Sequence, residues 1–525
     1  MHCRVISPTH RELPCSAGNG ETRSFHCMSF IPLPLGQRIP DSLHGVSCSL
    51  PTMRAVIGYE EKDPEITSRM TSGYPRFVQH PLLRQAASHL LRIHQLNDHQ
   101  LWLTASQRAA HQLSQWLAPA TCRIISDNGL QGVAFPSNPD TFARAKTWLQ
   151  HAGALPSSRA AEDYLIRVRE KPSAEPESIQ TEGAEARVRQ YLRGAFAPAG
   201  DADIFLANSG MNAIWAAYHG ISRIQATRGR RLWIQLGWLY LDTIAILQKF
   251  SGGPQNYHFH GNVFDLDGLR RLFAEKGASI AGIITEVPTN PLIQTPDLPT
   301  VHQLCKSAGA CLVVDPTIAS PLNINVLPHA DVVVNSLTKY AASEGDVLFG
   351  AAIVNPLATD AGELRRSIAA ELEPIYPRDL HRLAAQVGDT AAVVEATNRN
   401  AAEIIRFLED HPRITSLYWS FKEESRRNYM NLARGQDSLG SVLSFTVGGD
   451  FAEFYDRLRL PKGPSFGMKT TLICPFIYLA HYDLVNTNEG RRVLNDNGLA
   501  PDLMRLSVGC EPSEHIIAAL REALA

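Results

Sequence analysis

The chain has 525 residues, too many for one ordinary hydrophobic core, and its length predicts roughly two to four structural units. With 50 Lys and Arg against 52 Asp and Glu the net charge is −2, which provides no basic field for nucleic acid or an anionic membrane surface. Apolar residues make up 44%, yet no apolar run approaches the roughly 18 residues of a membrane helix; even the run at 347–354 stops at Asn355.

The nine cysteines are odd in number, scattered and without a Cys-x-x-Cys pair, so they read as reduced thiols, and the expected location is the cytoplasm. Residues 1–30, rich in Ser, Pro and His, lack the apolar core of a secretory signal and read as a disordered leader. Residues 31–94 follow as an N-terminal arm and first helix. The arm to residue 75 is punctuated by proline and is expected to be extended, lying on a neighbouring subunit. From residue 80 the apolar positions Leu82, Leu83, Ala86, Ala87, Leu90 and Leu91 recur at helical spacing. Residues 95–185 form an inserted module and linker. Strands are expected at 101–103, 122–125, 132–135 and 164–168, helices at 109–117 and 142–149, and a surface linker over 156–186.

From 186 to 400 helices alternate with apolar strands at 204–207, 232–235, 280–285, 310–314, 331–335 and 348–354, the pattern of a largely parallel α/β sheet. A long helical stretch near 374–412 leads to a smaller C-terminal α+β domain, 401–525, with strands at 441–447 and 504–508.

Three successive strand ends are polar: IITEVPTNP (283–291), LVVDPT (312–317) and VVVNSLTKY (332–340). Parallel strands put their carboxyl ends on one edge, where open α/β sheets bind ligands, so Asp315 and Lys339 become neighbours in space. A lysine amine that condenses with an aldehyde and a carboxylate that keeps a ring nitrogen protonated suit a pyridine aldehyde phosphate. Ser336 and Thr338 offer hydroxyls to its phosphate. A strand running into Asn208-Ser209-Gly210 and then a helix supplies backbone N–H donors for the same group. His80, His219 and His481 have no metal-ligand spacing and read as structural, and no metal is expected.

Taken in order, SGM (209–211), EVPTNP (286–291), VVDPT and SLTKY resemble the pyridoxal-phosphate (PLP) enzymes of cysteine and methionine metabolism. The likeness to the long fungal-type cystathionine gamma-synthases extends through SCSLPT (47–52), VIGYEE (56–61), TSGYPRF (71–77) and GPSFGMKTTLICPF (463–476). The resemblance implies an aspartate-aminotransferase-like fold type I, with a mostly parallel seven-stranded sheet flanked by helices. It implies Lys339 and Asp315 as catalytic and cofactor-holding residues, and Ser336, Thr338, Gly210 and Met211 at the phosphate. Asn290 is implied near the ring hydroxyl, Arg505 and Ser465 at the substrate, and Tyr74 and Arg76 as residues lent to the adjacent subunit's phosphate and substrate site. A homo-oligomer follows, a dimer sharing its sites within a tetramer.

The implied reaction is γ-substitution, joining an O-acylhomoserine to L-cysteine to give cystathionine and a carboxylate, as in transsulfuration and methionine biosynthesis. A cystathionine lyase, an O-acylhomoserine sulfhydrylase or a γ-substitution enzyme of specialised metabolism are alternatives, and so is a non-catalytic regulatory relative. Two departures keep them open. QLGWLYLDT (235–243) has Leu236 where the family carries a ring-stacking aromatic, leaving Trp238, Tyr240 or an aliphatic side chain for that place. AASEGD (341–346) replaces the family's Asn-Gly-His-Ser-Asp after the lysine.

Overall fold

The structure, a computed structural model, describes residues 30–71 and 78–525. Three sheets organise it, beside a two-stranded antiparallel pairing of Arg38–Ile39 with Ser47–Cys48 in the arm. The module carries β1 (His99–Thr104), β2 (Arg123–Asp127) and β3 (Leu130–Pro136), with β3 between the other two and both pairings antiparallel. The large sheet comprises β4 (Ile204–Ala207), β5 (Leu232–Leu236), β6 (Tyr257–His260), β7 (Ile280–Glu286), β8 (Cys311–Asp315), β9 (Val332–Ser336) and β10 (Gly350–Val354), in spatial order β4-β10-β9-β8-β7-β5-β6. Only β10 runs against its neighbours; the rest pair in parallel. The strands between β10 and β6 are buried on both faces, as their unbroken apolar text requires. One apolar layer holds Val314, Leu312 and Ile283, and the other Val313, Ile284 and Ala281. The smaller sheet is fully antiparallel: β11 (Ile414–Tyr418), β12 (Val442–Val447), β13 (Leu472–Pro475) and β14 (Met504–Ser507), in order β11-β12-β14-β13.

The structure corrects several expectations. Residues 164–168 are not a strand. They end a helix, Ser158–Arg167, whose Ala161, Tyr164 and Leu165 share one buried face and whose N-cap Ser157 accepts from Ala160 N–H. The expected linker is fastened down. Glu177 receives the Arg159 guanidinium at 2.7 Å and Arg378 at 2.6 Å, and Gln180 N–H donates to His381 C=O. The arm, over 30–71, contains a helix Met53–Glu60 and packs on its own chain's small sheet: Met53 N–H donates to Asp456 at 2.7 Å, and Leu50 and Val56 join the core of Phe445 and Tyr455. Strands β6, β11 and β13 had no counterpart among the expected ones, and the stretch near 374–412 is two helices, Pro377–Gln386 and Thr390–Glu409, separated at Gly388.

A buried polar cluster ties these parts together. Arg159, only 1% exposed, reaches Glu177, Asp379 and the Asp346 carbonyl, while Arg382 and Gln386 hold the Asp346 carboxylate at 2.8 and 2.7 Å. Glu162 joins the cluster through His44 of the arm and Arg378. The segment after Lys339 is thereby anchored to both module and arm.

Candidate active site

Asp315 is the last residue of β8, and Lys339 lies just beyond Ser336, which ends β9. Register aligns Asp315 with Glu286 at the end of β7. The polar strand ends therefore meet on one edge, as parallel pairing demands. Lys339 Nζ donates to Ser465 Oγ at 3.1 Å and stands 4.7 Å from the Phe466 ring centre. Burial, aided by the Arg505 charge, holds the amine well below the usual lysine range. The Asp315 carboxylate accepts from Thr317 N–H at 2.9 Å and from the Thr317 hydroxyl. Burial still pushes its pKa up to about 6, against the pull of those bonds.

Arg505 rises from β14 into the same cavity. Its guanidinium donates to Asn290 Oδ1 at 3.1 Å and to Ser465 C=O at 3.3 Å, with its carbon 4.5 Å from the Phe476 ring centre. Ser465 thus touches both the lysine and the arginine. It does so with φ +117°, a conformation natural to glycine, held by Arg505 on its own carbonyl and by the arm's Ser47 hydroxyl on Pro464 C=O.

Opposite, Ser209 caps the helix Gly210–Thr227 by accepting from Asn212 N–H at 3.1 Å. The helix has no internal partners for the Gly210 and Met211 N–H groups. A Cβ on Gly210 would lie 2.8 Å from the Ser336 Cβ, so only glycine lets this turn close on β9. Ser336 lines the cavity beside it. Thr338 also lines the cavity, but its hydroxyl exchanges hydrogen bonds with Phe349 N–H and C=O, so its first task is to hold that chain reversal.

Of the three candidates for ring contact, Tyr240 is on the cavity wall. Leu236 is buried within β5, and Trp238 donates its indole N–H to His481 and packs edge-on to Phe259. Tyr74 and Arg76 lie outside the described residues. Thr317, Glu286 and the module's wall are further parts of the site. Thr317 and Glu286 lie inside the quoted strand ends, and aligning Glu286 with Asp315 across parallel strands would have exposed the former as a second carboxyl. Glu286 Oε1 accepts from Tyr240 N–H at 2.6 Å, its Oε2 has no hydrogen-bond partner among the described residues, and burial together with Asp315 raises its pKa well above the usual range. Leu155, Pro156, Ser157 and Ala160 of the module wall the same cavity, of about 320 Å³.

The residues present fit PLP: a buried amine held low in pKa, a carboxyl sunk at a strand end, an aromatic wall, and a helix N-terminus that closes on a serine through a glycine. This is a fold type I PLP-dependent enzyme. More narrowly, the chain belongs to the family of Cys/Met metabolism PLP-dependent enzymes, whose pattern matches residues 194–525. It is 38% identical over 487 residues to L-2-amino-4-chloropent-4-enoate dechlorinase/desaturase of Streptantibioticus cattleyicolor, covering 92% of this chain and 97% of that one. It is 28% identical over 618 residues to cystathionine gamma-synthase of Neurospora crassa, covering 94% and 98%. Among solved structures, cystathionine gamma synthase from Xanthomonas oryzae pv. oryzae shares the fold with a TM-score of 0.53 and 24% identity, covering 63% of this chain and 83% of that one.

Proposed function

We propose that the enzyme releases a leaving group from the γ carbon of a small α-amino acid. The observation that carries this is the shared contact with Ser465: Lys339 Nζ at 3.1 Å and the Arg505 guanidinium at 3.3 Å frame one residue. A carboxylate seated on the Arg505 fork then presents its α carbon to Lys339. Bound PLP supplies an electron sink for the pair left at that carbon. Lys339, its amine held well below the usual lysine range by burial, takes the α proton at Nζ and returns it on the side it occupies. Ser465 Oγ orients that nitrogen. Asp315, fixed by Thr317, faces the ring nitrogen, and Gly210, Met211 and Ser336 hold the phosphate. Ser336 does so with its hydroxyl, whereas Thr338 contributes through the backbone it braces. In the assembled enzyme, Tyr74 and Arg76 of an adjacent subunit complete the site.

Two outcomes follow departure of the γ group. In the first, a thiol adds, so that an O-acylhomoserine and L-cysteine give cystathionine. In the second, no nucleophile adds, and the proton lost from the β carbon together with the departed γ group leaves a multiple bond between those two carbons in the product. A specific observation favours the second. Among the described residues, the only cations lining the cavity are Lys339 and Arg505; Glu286, Asp315 and Asp379 also line it, and Leu155, Pro156, Ile375, Leu479 and Ala480 form an apolar part of the wall. A second amino acid would bring a carboxylate that finds no further cation among the described residues of the cavity. The named substrate of the relative at 38% identity carries chlorine on carbon 4, which is the γ position. Purified protein should release the γ group from a 4-halogenated 2-aminopentenoate without added thiol. Turnover of O-acylhomoserines only with cysteine would establish substitution instead, and inertness toward both would remove γ chemistry altogether.

A further inference from the structure

The matched family region begins at residue 194, so the module before it has no role assigned by that likeness. Its turn stands directly behind the helix N-terminus. Gly153 ends the helix Pro139–Ala152 at φ +63°, its N–H donating to Leu149 C=O. That cap explains the backbone angle. It does not explain the approach: a Cβ at Gly153 would lie 2.4 Å from Asn212 N and 2.7 Å from Ser209 Oγ.

Asn212 completes the connection. It is 1% exposed, donates through Nδ2 to Ala152 C=O at 3.0 Å, and accepts Glu373 N–H on Oδ1 at 2.9 Å. Arg108 of the module braces the same loop, donating to Leu372 C=O at 2.6 Å and to the Glu373 carboxylate at 2.7 Å. The Ser209–Asn212 turn is therefore pressed between Gly153 on one side and Ser336 on the other, where a Cβ on Gly210 would meet the serine. A first helical turn left alone frays, and ordering it at the moment of binding would subtract from affinity.

We propose that the inserted module is a clamp that presets this turn for the phosphate of PLP, with Gly153 and Asn212 as its positioning residues. Gly153 borders the cavity behind the turn, and Asn212 does not line it. They act by removing freedom from the Gly210 and Met211 N–H groups, so that the anion meets donors already aimed. The inference rests on phosphate docking at those two groups.

The test titrates cofactor-free protein with PLP and, separately, with pyridoxal, which has the same aldehyde and ring but no phosphate. In Gly153→Ala the Kd for PLP should rise about ten-fold, the usual cost of forcing a methyl into a packed site. Asn212→Ala, which deletes two hydrogen bonds without a clash, should raise it several-fold. The pyridoxal Kd should stay within about two-fold in both, because the ring site is untouched. Unchanged PLP affinity in both variants would overturn the clamp, as would a parallel loss of pyridoxal affinity. Equal affinity of the unsubstituted protein for the two ligands would refute phosphate docking itself, and with it the clamp.

Discussion

Asp315→Asn should stabilise the cofactor-free protein at alkaline pH while weakening its hold on PLP. Burial raises the Asp315 carboxyl from 3.8 to about 6. A carboxyl raised in this way is held protonated more tightly by the folded chain than by the unfolded one. The penalty for ionising it is absent below pH 3.8, grows between there and about 6, and is constant above. At about 1.4 kcal/mol per pH unit it reaches about 3 kcal/mol. Asparagine never carries the charge. It keeps an oxygen for the Thr317 N–H and hydroxyl, whose pull on the charge is already contained in the value of about 6. The net gain is about 3 kcal/mol at pH 8 and little at pH 4. Urea unfolding of cofactor-free protein at the two pH values reads it directly, and PLP titration reads the opposite effect, since the ring nitrogen loses its counter-charge. A variant no more stable than the parent at pH 8, or equally stabilised at pH 4, would refute the reasoning.

Arg505→Lys replaces a fork held by Asn290 and Ser465 with a point charge, so KM should rise about ten-fold or more with a smaller change in kcat, measured by steady-state kinetics. Arg159→Met leaves Glu177, Asp346 and Asp379 short of a buried cation and should cost about 3–5 kcal/mol, seen as a lowered thermal midpoint.

The strands of the large sheet were legible because each is a short apolar run closed by a polar residue, and the order of Asp315 and Lys339 along the chain was enough to bring them to one edge. Strand β6 was not. Its text, YHFH, alternates weakly at the sheet's rim and is half-buried throughout. The helix at 158–167 was hidden for a related reason, since Tyr, Leu, Ile and Val at its end carry β propensity while the buried face that decides the matter is set by the neighbouring sheet. Roles that depend on contacts distant in sequence were also beyond reach. Nothing in the residues around Gly153 announces Asn212, and nothing around Asp346 announces Arg159. The arm read correctly as proline-broken, but the bond from Met53 N–H to Asp456 of the same chain is a contact no local pattern encodes.

The most direct test of Lys339 as the cofactor-carrying residue is borohydride reduction of the purified holoenzyme, followed by proteolysis and mass spectrometry. Loss of the visible absorbance band and a stable phosphopyridoxyl group on Lys339 are expected, with no such peptide from Lys339→Ala. A label on any other lysine, or its persistence in Lys339→Ala, would contradict it.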